Sequence, residues 1–182
     1  MRICRPRHKA WDPDGCFALD YLRSEDSAEP RRALVRALKN GNPQALERAA
    51  SLLAAAISTR DGLRSGHEPP LLVAIPGHAA TTVATPVDSL CCRLRQLLPW
   101  LDQRPGALER AVTIRQSSAS SDRPSVVEHI ASLRWRSTPP SRRVIMIDDV
   151  FTFGRTSEAC RQLVLDAGAG VVLLACLAKT KP

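Results

Sequence analysis

The chain reads as an α/β protein built on a mainly parallel sheet flanked by helices, and three observations predict this. Two segments, VIMI (144–147) and GVVLLACLA (170–178), are apolar continuously rather than alternately, as strands covered on both faces must be. Between them, TSEACRQLVLDAG (156–168) places Ala159, Cys160, Leu163, Val164 and Ala167 on one helical stripe, with Gly168 as its stop. Earlier, LLVAIP (71–76) leads through a polar stretch into a helix from near Val87, and this strand, loop and helix form the half-unit of a parallel sheet.

The other elements follow in chain order. Residues 1–29 are polar and turn-rich, with WDPDG as a turn, and read as an N-terminal extension to a single domain over 30–182. Leu34, Val35 and Leu38 then fall at helical spacing. Asn40, Gly41 and Asn42 interrupt, and Pro43 follows Asn42 as a first-turn proline follows an N-cap. A second helix runs to about Ser58 with Leu46, Ala49, Leu53, Ala56 and Ile57 inward, and the two helices read as a flank to the core. Residues 60–70 are a loop. After the LLVAIP strand, the helix carrying Val87, Leu90, Cys91, Leu94 and Leu98 ends at Pro99. LERAVTIRQSSASSDRP (108–124) begins as a strand and becomes a Ser-rich loop. Ser125 and Glu128 make a capping box for a short helix, apolar at Val126, Val127, Ile130 and Leu133.

Composition narrows the function classes. The 182 residues, 44% hydrophobic and 24% charged, suit one globular core, and no apolar run approaches the ~18 residues of a membrane span. The basic N-terminus has no apolar stretch behind it to make a secretory signal, so a cytoplasmic location is expected. Six scattered cysteines without an export signal read as reduced thiols. Cys91, Cys92, Cys160 and Cys176 lie in helical or strand patterns as small hydrophobes, and Cys4, His8 and Cys16 lack a CxxC pair, so no metal site is assigned. A net charge of +8 leaves nucleic acid open as a partner, although three Trp, one Tyr and three Phe are too few for a stacking platform.

The chemistry concentrates in VIMIDDVFTFGRT (144–156). Asp148 and Asp149 stand where VIMI finishes, and ligands of open parallel sheets bind beyond the carboxyl ends of the strands. The turn that follows delivers the chain into a helix whose first N–H groups lack partners and favour an anion, so a phosphate fits. Gly154 permits close approach of the backbone, and the hydroxyls of Thr152 and Thr156 can donate to phosphate oxygens. The two carboxylates would repel the phosphate, so they serve something neutral or cationic beside it. Ribose hydroxyls, with Mg²⁺ between them and a diphosphate, satisfy that need, and 5-phosphoribosyl 1-diphosphate (PRPP) combines all these groups.

VIMIDDVFTFGRTSEACRQLVLDAGA closely resembles the PRPP-binding signature of type I phosphoribosyltransferases. YLRSEDSAEPRRALVRALKNGN is similar to the stretch that precedes the core in the ComF-like subgroup, with Tyr21, Lys39 and Gly41 in corresponding places. The resemblance implies a type I phosphoribosyltransferase-like (Rossmann-like) fold with a helical N-terminal flank. It implies that Asp148 and Asp149 hold the ribose hydroxyls, and that Thr152, Phe153, Gly154, Arg155 and Thr156 cradle the 5-phosphate. Phe153 replaces a common Thr or Ser, and Arg155 a small residue. Pro76, Gly77 and His78 would meet the diphosphate, in a loop that lacks the expected Arg or Lys. RQSSASSDRPSVVEHI (115–130) becomes the region of a mobile loop, with Arg115 and Arg123 beside the departing diphosphate and His129 orienting or exchanging a proton. The implied reaction is phosphoribosyl transfer from PRPP to an unidentified base or amine, with Mg²⁺ bound to the leaving diphosphate. Two further readings stay open: a non-catalytic PRPP or nucleotide sensor, or an accessory protein in DNA uptake or processing. A homodimer is common in the fold.

Overall fold

A computed structural model describes residues 16–22, 30–60, 63, 68–80, 83–115, 123–136, 143–152 and 154–181, with the backbone alone for 16–22 and for 180–181. In chain order the elements are β1 (Cys16–Leu22), α1 (Pro30–Lys39), α2 (Pro43–Ser58), β2 (Leu71–Ala74), α3 (Pro86–Leu97), β3 (Asp102–Gln103), β4 (Leu108–Arg110), α4 (Val126–Ser132), β5 (Leu133–Trp135), β6 (Arg143–Phe151), α5 (Arg155–Asp166) and β7 (Val171–Lys181). Five strands form one sheet in the order β1-β7-β6-β2-β3, every pair parallel, while β4 and β5 make a separate antiparallel pair.

The continuous apolar runs become the inner strands, as their two-sided burial requires. Along β6, Ile145 and Ile147 pack into a cluster with α1, α2 and α3, while Val144 and Met146 pack into a second cluster with α5. Ile145, Met146 and Ile147 have no exposed surface, and each such burial is worth about 1.5–3 kcal/mol. Helix ends form where the sequence signals them. Asn42 accepts from the Ala45 amide at 2.9 Å with Pro43 behind it, and Ser125 and Glu128 close a reciprocal capping box. A second box, Thr85 with Asp88 at the start of α3, is equally legible in TPVD but was not anticipated.

The N-terminal helices flank the sheet as expected, with Leu53 and Ile57 of α2 wholly buried in the same cluster as Ile145 and Ile147. Two expectations need correction. The turn-rich segment 1–29 contributes β1, a strand at the sheet edge paired with β7; its partner lies far along the sequence, so no local pattern reveals it. In α4, Val127 is 74% exposed and His129 only 2% exposed. The buried stripe at helical spacing is 126, 129, 130 and 133, which admits the histidine and leaves Val127 outside.

Cys91, Cys160 and Cys176 are buried free thiols and Cys92 is an exposed one. Burial pushes the Cys160 thiol up to about 12, and Cys91 also rises by burial, so neither is a nucleophile at neutral pH. The side chains of Cys4, His8 and Cys16 lie outside the described residues. Among the described residues, no helix is long and apolar enough to cross a membrane.

Candidate functional site

The acids sit where two strands part. β2 follows β6 as far as the Ala74–Ile147 pair, and the Ile75 amide donates to the Ile147 carbonyl at 2.8 Å. β6 then continues alone on that side, still paired with β7 at Asp148–Cys176 and Val150–Ala178, so the strand runs four residues beyond the expected VIMI. Asp148 and Asp149 therefore stand at the carboxyl end of the sheet, directly beyond the last contact with β2.

Their environments differ. The Oδ1 of Asp148 accepts the Asp149 amide at 2.8 Å, and burial, then the neighbouring Asp149 charge, pushes the Asp148 carboxyl well above the usual carboxylate range. Asp149 instead meets the Lys39 ammonium at 3.2 Å, at the C-terminal end of α1. The pair is therefore asymmetric: burial opposes ionisation of Asp148, while the Lys39 ammonium lies beside Asp149.

The turn after β6 is built for an open helix start. Gly154 has φ +75°, in the left-handed region, and a Cβ there would fall 2.7 Å from Phe151 Cε2 and 2.9 Å from Cζ. Glycine is demanded by the aromatic ring beneath it as well as by the backbone. Because Gly154 is also the N-cap of α5, no side chain caps this helix, whereas α2, α3 and α4 are capped by Asn42, Thr85 and Ser125. Its first amides carry the positive end of the helix dipole without a side-chain acceptor. Thr152 and Thr156 are half-buried beside the turn, and Phe153 lies outside the described residues.

The structure draws the other sequence-predicted residues around this turn. Nη1 of Arg155 donates to the carbonyls of Arg123 at 3.1 Å and Pro124 at 3.2 Å, tying the approach to α4 onto the turn. Thr156 Oγ1 lies 3.4 Å and 3.5 Å from the two ring nitrogens of His129, long contacts that set the imidazole against the start of α5. Burial, and then the charge of Arg110, lower His129 to about 4, so the ring is neutral at physiological pH. Arg115 reaches Glu128 of α4 at 3.6 Å, and its neighbour Ile114 donates from its amide to the His78 carbonyl at 3.0 Å. Pro76 is half-buried, and Gly77 and His78 are exposed. Residues 116–122, the centre of the expected mobile loop, lie outside the described residues.

One residue at the centre of this network was missed. Arg110 of β4 is 5% exposed, its Nε donates to the Gly77 carbonyl at 2.8 Å, and its Nη1 donates to Ser132 Oγ. Ser132 in turn donates to the His129 carbonyl at 2.7 Å. Nη2 is buried with no partner among the described residues, and leaving such a donor unsatisfied costs about 1–3 kcal/mol. Burial lowers the guanidinium below its ordinary value. The available signal was period-2 alternation: Leu108 and Arg110 share the buried face of β4, with the less buried Glu109 between them.

Elsewhere, a surface groove of about 370 Å³ between α2 and α3 is lined by Leu46, Glu47, Asp88, Cys92, Arg93 and Gln96 among others, and shares no residue with the acidic turn. A scan against protein-family models finds no match to the chain, and no curated protein matches it.

Proposed function

We propose that the protein binds PRPP at the carboxyl ends of β2 and β6 and acts as a type I phosphoribosyltransferase-like protein. The observation that carries this reading is the adjacency of two unlike groups: a carboxyl pair, one member bonded to the backbone and the other beside the Lys39 ammonium, and a helix start left open by Gly154. A diol needs hydrogen-bonding carboxyls that do not repel the rest of the ligand. A phosphate monoester needs backbone N–H groups without a competing side chain.

In this reading Asp148 and Asp149 take the ribose hydroxyls and the amides at 154–157 take the 5-phosphate. Among the described residues no three His, Cys, Asp or Glu side chains form a metal cage, while carboxylate oxygens are the hard donors that Mg²⁺ accepts. Mg²⁺ would therefore arrive with the diphosphate and neutralise its charge. The bond from the anomeric carbon to the diphosphate oxygen breaks, its electron pair leaving on oxygen, as a nitrogen nucleophile forms the new bond. The nucleophile's proton passes to the departing diphosphate, the base formed as the bond breaks. The chain's contribution is positioning, charge stabilisation and exclusion of water.

A second reading, PRPP sensing without turnover, is favoured by the 76–78 turn, which offers one exposed histidine and no cationic side chain to the solvent side. Calorimetric titration with PRPP, with and without Mg²⁺, tests the shared premise, and the absence of binding in both conditions overturns it. Diphosphate release in the presence of candidate bases then separates enzyme from sensor. Asp149→Asn abolishes binding in either case. Affinity for nucleic acid that survives this change and falls steeply with salt would instead favour a DNA-processing role.

A further inference from the structure

The turn after β2 and the turn after β6 belong to different strands, yet one buried side chain lies between the segments that support them. Arg110 holds the Gly77 carbonyl from behind, and through Ser132 it holds the His129 carbonyl at the C-terminal end of α4. The His129 ring meets Thr156 in the first turn of α5. A trans peptide points its C=O and N–H in opposite directions. With the Gly77 oxygen turned onto Arg110, the N–H of His78 points away from the guanidinium, and both Gly77 and His78 are exposed. The His78 carbonyl is fixed in turn by the Ile114 amide. The turn is therefore held in one orientation by contacts behind and beside it, and its outward donor is backbone.

We propose that Arg110 is a positioning residue for an anionic group, a diphosphate, seated on the exposed face of the Gly77–His78 turn. The inference rests on the PRPP reading and deepens it. It explains why a turn without its own Arg or Lys can face an anion: the cation lies behind the peptide, polarises the Gly77 carbonyl and orients the N–H. It also explains a buried guanidinium with no acidic partner among the described ion pairs and one idle nitrogen, because a carboxylate there would cancel the field that the turn presents outward.

The test compares two ligands that differ only in the diphosphate. Affinities for PRPP and ribose 5-phosphate are measured on the full chain, in Mg²⁺, for the wild type, Arg110→Lys and Arg110→Met. The expected result is that the wild type prefers PRPP and that Arg110→Met loses at least tenfold of that preference while still binding ribose 5-phosphate. Arg110→Lys, which can reach the Gly77 carbonyl but cannot make both bonds, falls between them. An unchanged preference in both variants overturns the proposal and leaves the PRPP reading intact, whereas a wild type that binds neither ligand removes the reading itself. Where Arg110→Met fails to fold, the wild type supplies a second readout, the Nε–H resonance of Arg110 in arginine-labelled protein. It shifts on addition of PRPP and not of ribose 5-phosphate; equal response to both, or to neither while PRPP binds, overturns the proposal.

Discussion

Replacing Gly154 with alanine tests the architecture of the phosphate turn at its tightest point. Two costs add. A residue with a Cβ at φ +75° pays about 1–2 kcal/mol for the left-handed conformation. The new methyl also meets the Phe151 ring at 2.7 Å and 2.9 Å, about 1 Å inside an ordinary carbon–carbon contact of ~3.5–4.0 Å. The ring cannot simply swing away, since Phe151 is 5% exposed and packs with the α5 cluster, so displacing it costs about 1–3 kcal/mol more. The expected loss is about 2–5 kcal/mol in urea unfolding followed by circular dichroism. Phe151→Leu shortens the obstruction, so the double variant should recover about 1–3 kcal/mol relative to the sum of the single changes. A Gly154→Ala protein within about 0.5 kcal/mol of wild type, or a cycle in which the two costs add without coupling, would refute the account of this turn.

Further outcomes follow from the site's electrostatics. Burial lowers the folded His129 to about 4 from an ordinary 6.5, so the unfolded chain takes up the proton first as pH falls and stability declines from pH 6.5 towards 4. His129→Gln removes this component, and urea midpoints for both proteins at pH 7, 5.5 and 4.5 should converge toward low pH; parallel curves contradict the neutral buried imidazole. Asp148 has the opposite sign: its folded carboxyl is raised above 3.8, so stability present below that pH is lost as pH rises. Asp148→Asn should accordingly gain stability over wild type at pH 7 and not at pH 3, while weakening PRPP binding at least tenfold. Lys39→Met breaks an ion pair whose lysine is 53% exposed, so it should cost less than about 1 kcal/mol, a difference that shrinks in 1 M NaCl; a larger loss, or one that salt does not reduce, means the ammonium does more than screen Asp149.

What could be read beforehand was local in origin. Asn42 before Pro43, Ser125 three residues before Glu128, and the runs at 144–147 and 170–178 each encode their structure within one turn or one strand, and each formed where expected. That the apolar run stops at two carboxylates was equally legible; that β6 runs on through them to Phe151, paired with β7 but no longer with β2, was not. Tertiary choices were not legible. Nothing near Cys16–Leu22 announces its partner Ala175–Lys181, and nothing near Lys39 announces Asp149. Arg110 was hidden for a related reason. Arginine belongs on surfaces by composition, and only the convergence of the Gly77 carbonyl and the Ser132 hydroxyl of α4, from two other segments, makes its burial tolerable.

The place of β7 between β1 and β6 constrains how the molecule can be assembled. On the ribosome, the strand that both neighbours need is made after either of them, so a nascent chain halted before Val171 leaves β6 with an open apolar edge and β1 with nothing to zip onto. Pairing such as Cys16 with Ala175 closes a very long loop, a topology that favours slow, late consolidation. Helices α2 and α3 can dock early, but the acidic turn of β6 acquires its setting only once β7 has been made. Stalled or clipped products should therefore be recognised by chaperones and proteases as unfinished, however well their first helices have formed.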